Sequence, residues 1–71
     1  MTSEEIKKAM RELAPVVYRG IEYAKINAYI YRVCINKNTG ERKEFFQLEL
    51  QDKRANSVTI ADANDVTLKT P

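Results

Sequence analysis

The sequence predicts a mainly-β domain, a small five-stranded barrel preceded by one N-terminal α-helix. Three observations carry this expectation. An amphipathic opening stretch ends at Pro15. A long run of apolar, aromatic and polar residues folds back on itself at Asn38-Thr39-Gly40. Two short alternating segments joined by polar connectors complete the chain. At 71 residues there is room for one core and so for one domain, over 1–71.

The helix is expected over 3–13. Thr2 and Glu5 stand three apart, as in a capping box, where hydroxyl and carboxylate satisfy each other's backbone donors. Glu4 and Glu5 suit the positive helix start, and Arg11 suits the other end. Ile6, Ala9, Met10 and Leu13 fall at i, i+3, i+4 and i+7 and make one apolar stripe that caps an open core. Pro15 disfavours helical geometry at Ala14, so the helix stops near Leu13.

Strands are expected over 16–18, 21–37, 41–50, 57–61 and 66–69. Arg19-Gly20 is the bend after the first, permitted by Gly20. Asn38-Thr39-Gly40 suits a three-residue hairpin loop with glycine in the left-handed position. Such a loop sets a register. Lys37 faces Glu41, and moving inward Val33 meets Phe45, Arg32 meets Phe46 and Tyr31 meets Gln47. Ile30 then meets Leu48, Tyr29 meets Glu49 and Ala28 meets Leu50. One face carries Ile26, Ala28, Ile30, Phe46, Leu48 and Leu50 as the core. The other carries Tyr29, Tyr31, Val33, Ile35 and Phe45 among Lys43, Gln47 and Glu49. A slip of one residue exchanges the faces. The stretch 51–56 is a polar turn, and Val58 and Ile60 point inward from the strand that follows it. Asp62-Ala63-Asn64-Asp65 is a one-turn connector whose aspartates cap their own backbone.

This order of elements resembles the SH3-like and Sm-like barrels, including the bacterial Sm-like RNA chaperones, which also open with a helix. The likeness rests on the helix from Thr2, Pro15-Val16-Val17-Tyr18, Gly20, and Ser57-Val58-Thr59-Ile60 before Val66-Thr67-Leu68. It implies a bacterial-type small barrel. Those chaperones carry a Tyr-Lys-His signature on the fourth strand, where this chain has Thr59-Ile60-Ala61 and no histidine at all. Their RNA-binding residues are therefore not carried over.

Composition narrows the chemistry. Hydrophobic residues make up 44% and charged residues 31%, as in a soluble globular domain. Twelve basic and ten acidic residues leave a net charge of +2, well mixed along the chain and only weakly attractive to nucleic acid. Cys34 is the single cysteine, which excludes an internal disulfide and favours a reducing, cytoplasmic setting. It reads as a small half-buried apolar residue. The first residues lack the basic-then-apolar order of a secretory signal, and no apolar run approaches the ~20 residues of a membrane span. Without histidine and with one thiol, a zinc site or a histidine-activated nucleophile has no ligands or base. Gly20 and Gly40 are isolated turn residues and not a phosphate loop. Asp62, Asn64 and Asp65 lack the glycine and distal glutamate of a calcium loop. No catalytic residue, metal, cofactor or small-molecule substrate is expected.

Two binding surfaces remain. The first is the second hairpin face: Tyr29, Tyr31, Val33, Ile35 and Phe45. Either the helix covers it or it stays open to a protein partner or to another copy of the chain. An unprotected edge at Ser57 to Ala61 offers strand addition as a route to a homo-oligomer. The alternative is single-stranded nucleic acid held by interleaved aromatic and basic groups: Tyr18, Arg19, Tyr23, Lys25, Arg32, Lys53 and Arg54. Glu22, Glu44, Glu49 and Asp52 stand among these and oppose it. Arg32 also interrupts the apolar run from Tyr29 to Ile35, acting as a gatekeeper against aggregation.

Overall fold

A computed structural model describes residues 1–69. Helix α1 (Ser3–Glu12) opens with the capping box that its sequence announces. The Glu5 amide donates to Thr2 Oγ1 at 3.2 Å, and the Thr2 amide donates to Glu5 Oε1 at 2.9 Å. At the other end Leu13 adopts the left-handed conformation (φ 54°), and the Ala14 amide donates to the Ala9 carbonyl at 3.0 Å. This Schellman-type ending satisfies a terminal carbonyl and turns Leu13 away from the stripe. Ile6 and Ala9 are buried and Met10 is partly buried, but Leu13 is exposed, contrary to expectation.

Six strands follow: β1 (Val16–Tyr18), β2 (Ile21–Tyr23), β3 (Lys25–Ile35), β4 (Arg42–Gln51), β5 (Val58–Asp62) and β6 (Val66–Leu68). A 3-10 turn, Ala63–Asp65, joins the last two, with the Asp62 side chain accepting from the Asn64 amide at 2.8 Å. The strands form two separate antiparallel sheets, ordered β2-β1-β6 and β3-β4-β5. The chain is mainly β with one N-terminal helix, as expected, but it closes no five-stranded barrel. The resemblance to the SH3-like and Sm-like barrels is thereby overturned. The reason is local: the stretch expected as one strand over 21–37 divides at Ala24. Before that point, Arg19 and Gly20 (φ 51° and 76°) make a two-residue turn that commits β2 to β1. After it, the Ala24 amide donates to the Gln51 carbonyl at 2.9 Å and starts the pairing with β4. Each sheet keeps two open edges.

The β3–β4 register also differs. The Asn36 amide donates to the Glu41 carbonyl at 2.8 Å, so the loop holds four residues, Lys37-Asn38-Thr39-Gly40, with Gly40 left-handed at φ 72°. Tyr31 therefore pairs with Phe46, Arg32 with Phe45, Ile30 with Gln47 and Tyr29 with Leu48. One extra loop residue moves the odd-numbered side chains of β3 onto the core face. Asn27 then forms a β-bulge, after which Ile26 pairs with Leu50 on that same face. The Asn27 side-chain amide donates to Gln51 Oε1 at 2.9 Å and holds the bulge. Ala28 and Ile30, expected in the core, lie on the outer face. β5 departs from expectation independently, since the apolar alternation that suggested Val58 and Ile60 as inward residues is overridden by its pairing with β4. Ala61 and Thr59 pair with Leu48 and Leu50, so Val58 and Ile60 point outward and are exposed.

The core lies between α1, the inner face of the β3-β4-β5 sheet and the small sheet. Ile6, Val16, Leu48, Leu50 and Val66 are its largest fully buried side chains, with Ile26, Ala61 and Ala63 between them. Burying each large aliphatic group contributes roughly 1.5–3 kcal/mol. Among the described residues no helix is long and apolar enough to cross a membrane.

Two outcomes follow from this packing. Leu48→Ala is expected to lower unfolding free energy by about 2–5 kcal/mol in urea titration, enough to threaten a domain of this size, whereas Ile60→Ala costs under ~1 kcal/mol. If Ile60→Ala proves the more damaging, the register is wrong. Leu13→Gly should raise stability by about 0.5–1 kcal/mol, because glycine takes the left-handed position without strain and little packing is lost.

Candidate functional site

The hairpin of β3 and β4 extends past the core it helps to build. The molecule measures 46 × 26 × 20 Å, and its core ends near Tyr29. Beyond that residue the inner hairpin face continues without cover. Tyr29 and Phe46 lie 5.8 Å apart between ring centroids, tilted at 45°. Phe46 and Tyr31 stack at 5.1 Å and 23°. These three rings lead outward from the core as a ladder and end in Val33 and Ile35. Tyr31 is 54% exposed, Phe46 48% and Ile35 66%. The Arg42 to Glu44 ion pair, at 3.4 Å, lies on this same face opposite Ile35 and Val33, so the distal end of the face is apolar on β3 and charged on β4.

Four of the five residues expected at the partner surface, Tyr29, Tyr31, Val33 and Ile35, thus share a face. Phe45 does not: it pairs with Arg32 on the outer face. Phe46 takes its place, and the reason is the extra loop residue. The helix covers the inner face only at its proximal end, through Ile6 and Ala9, so the face is half covered and half open. Cys34 is exposed on the outer side of β3, beyond the core that was expected to half-bury it.

The residues considered for nucleic acid do not gather. Tyr23 is buried in the core, and its hydroxyl donates to Thr59 Oγ1 over a long 3.4 Å. Its ring offers no face to a base. Tyr18 is partly buried, with the Arg19 guanidinium 5.1 Å from its ring centre. Lys53 is held by Glu22 at 2.9 Å, and Lys69 meets the other oxygen of the same carboxylate at 2.8 Å. Arg54 sits in the turn before β5, Lys25 at the proximal start of β3, and Arg32 on the outer face of the distal hairpin. Basic groups are thus dispersed or matched by carboxylate.

The Lys69 and Lys53 ammonium groups donate hydrogen bonds that hold the Glu22 carboxyl below its ordinary value. A carboxylate whose folded value is depressed stabilises the fold above its unfolded value and loses that contribution as pH falls through the folded one. Stability should therefore decline from about pH 4.5 downward, and Glu22→Gln should decline less over that window. Urea midpoints measured between pH 7 and pH 3 check this; parallel curves for the two proteins would remove Glu22 from the account. No protein-family model, curated protein or solved structure matches the chain.

Proposed function

We propose that this chain is a non-catalytic interaction and assembly module that associates with copies of itself through the open inner face of its projecting hairpin. The observation that supports this reading is the aromatic ladder Tyr29–Phe46–Tyr31, which leaves the core and continues into solvent through Val33 and Ile35. Only Tyr29 of this series packs against the core, so burial within the domain does not account for apolar side chains at Tyr31, Val33 and Ile35. A fully buried Tyr or Phe removes about 150–250 Å² from water, so the exposed halves of Tyr31 and Phe46 together leave on the order of 200 Å² open. With Val33 and Ile35 the patch reaches the several hundred Å² that commonly mark an interaction site. Tyrosine suits this role because its ring is buried while its hydroxyl stays solvated. No observation favours nucleic acid as a second reading, given the scatter of the basic groups.

Light scattering at tens of micromolar should give a mass above 8.2 kDa. Tyr31→Ala should shift the protein toward the monomer, and at dilutions where both proteins are monomeric its unfolding midpoint should lie within a degree or two of wild type, because Tyr31 lies outside the core. Added salt should change the wild-type mass little, in contrast to the steep loss of a nucleic-acid complex. A strictly monomeric wild type at high concentration overturns the reading.

A further inference from the structure

Resting on the reading above, we infer that the partner copy adds to the free edge of β3, antiparallel, about a two-fold axis at Val33. The pairing of Asn36 with Glu41 is hydrogen-bonded, and the bonding direction alternates along an antiparallel strand. Cys34, Arg32 and Ile30 therefore turn their backbone groups toward β4. Ile35, Val33, Tyr31 and Tyr29 turn theirs outward. β3 is the edge of its sheet, so among the described residues these amides and carbonyls have no strand partner there. The residues with outward backbone groups are also those whose side chains form the open inner face. One added strand thus satisfies the backbone and extends the apolar face in a single step. β5, the opposite edge, has only five residues and its exposed Val58 and Ile60 lie on the outer face.

The strand's own charge selects both occupant and register. A two-fold contact must be self-complementary, with each residue meeting its symmetry mate's counterpart. Centred on Arg32, the pairing places two guanidinium groups directly opposite in a close, non-hydrogen-bonded pair, which is repulsive. Centred on Tyr31, it sets Ile35 against the bulged Asn27, where the bonding alternation breaks. Centred on Cys34, it sets Tyr31 against Lys37. Centred on Val33, it pairs Val33 with Val33 of the second copy, Tyr31 with Ile35, and Arg32 with neutral Cys34. The exposed Tyr31, Val33 and Ile35 then all meet apolar partners, and Lys37 falls instead opposite Tyr29, which already packs against the core. Since facing side chains share a side, the two inner faces join: Phe46 and Tyr31 of each copy line up with Ile35 and then Arg42 of the other, and a Glu44 flanks the central Val33 pair on either side.

The close pair of Arg32 and Cys34 supplies a test of register. Its Cα atoms stand at about 4.5 Å, within the ~4.4–6.8 Å that a disulfide spans. Arg32→Cys, mildly oxidised with oxidised glutathione, should give a covalent dimer on a non-reducing gel in high yield. Wild type, with Cys34 alone, should give little, and R32C combined with Cys34→Ser should also give little. Because Arg32 restrains aggregation, a second variant guards the experiment. Val33→Pro removes an outward amide, which an edge strand tolerates in the monomer. It should halve the mass seen by light scattering while leaving the circular dichroism spectrum and a cooperative melt in place. A dimeric wild type whose R32C variant crosslinks no better than wild type, or whose Val33→Pro variant stays dimeric, overturns the edge assignment while self-association stands. A monomeric wild type overturns both.

Discussion

The pairing of β3 with β4 is the constraint on which the rest of the molecule depends. Two single-residue events define it: a four-residue loop at the tip and a bulge at Asn27. Because side chains alternate with a period of two, each event exchanges the faces of everything beyond it. The loop places Tyr29, Tyr31, Val33 and Ile35 on the core side. The bulge returns Ile26 to that side opposite Leu50. Leu48 and Leu50 on the central strand β4 then meet Ile6 of the helix and Ala61 of β5, and the core closes around them.

A chain this short builds a core of limited reach, and its longest hairpin extends beyond it. Burying an apolar face requires something on the other side, and α1, ten residues long, covers only the proximal part. The distal inner face therefore meets solvent with aromatic residues still in place. Stacked rings hold each other in defined positions, so the proposed association would cost this face less conformational entropy.

Charge in this protein works mainly to hold its own surface together. Glu22 bridges Lys53 in the turn before β5 and Lys69 beyond β6, while Arg42 and Glu44 pair near the hairpin tip. Exposed pairs of this kind contribute little to stability individually. Their consequence here is distribution, since basic groups adjacent in sequence end up scattered or matched. The open face of the hairpin accordingly carries its aromatic rings next to the core and the self-matched Arg42–Glu44 pair beside Ile35 and Val33 at its distal end.

Local signals were legible in the sequence because their physics is completed within a few residues. The Thr2–Glu5 capping box, the end of the helix before Pro15, the turn at Arg19-Gly20, the left-handed Gly40 and the Asp62 cap all stand as expected. Four residues of the candidate surface were legible as well, because aromatic and β-branched side chains at alternate positions mark one face of a strand. The sequence also placed Ile26, Leu48 and Leu50 in the core, although by a register with one loop residue too few. The missing bulge compensated for that error at the proximal end. Farther out nothing compensated, so Phe45 was set on the face of Tyr31 and Val33, where Phe46 lies. Val58 and Ile60 were turned inward on their apolar alternation alone, whereas pairing with β4 puts Thr59 and Ala61 on that side. The tertiary structure alone decided the loop length, the bulge, the division at Ala24 and the extent of the helix's cover. The bulge, the division at Ala24 and the helix's cover depend on hydrogen bonds and packing between residues far apart in the chain. The loop differs from a three-residue one by a single position, a difference to which a side-chain period of two gives no local signature.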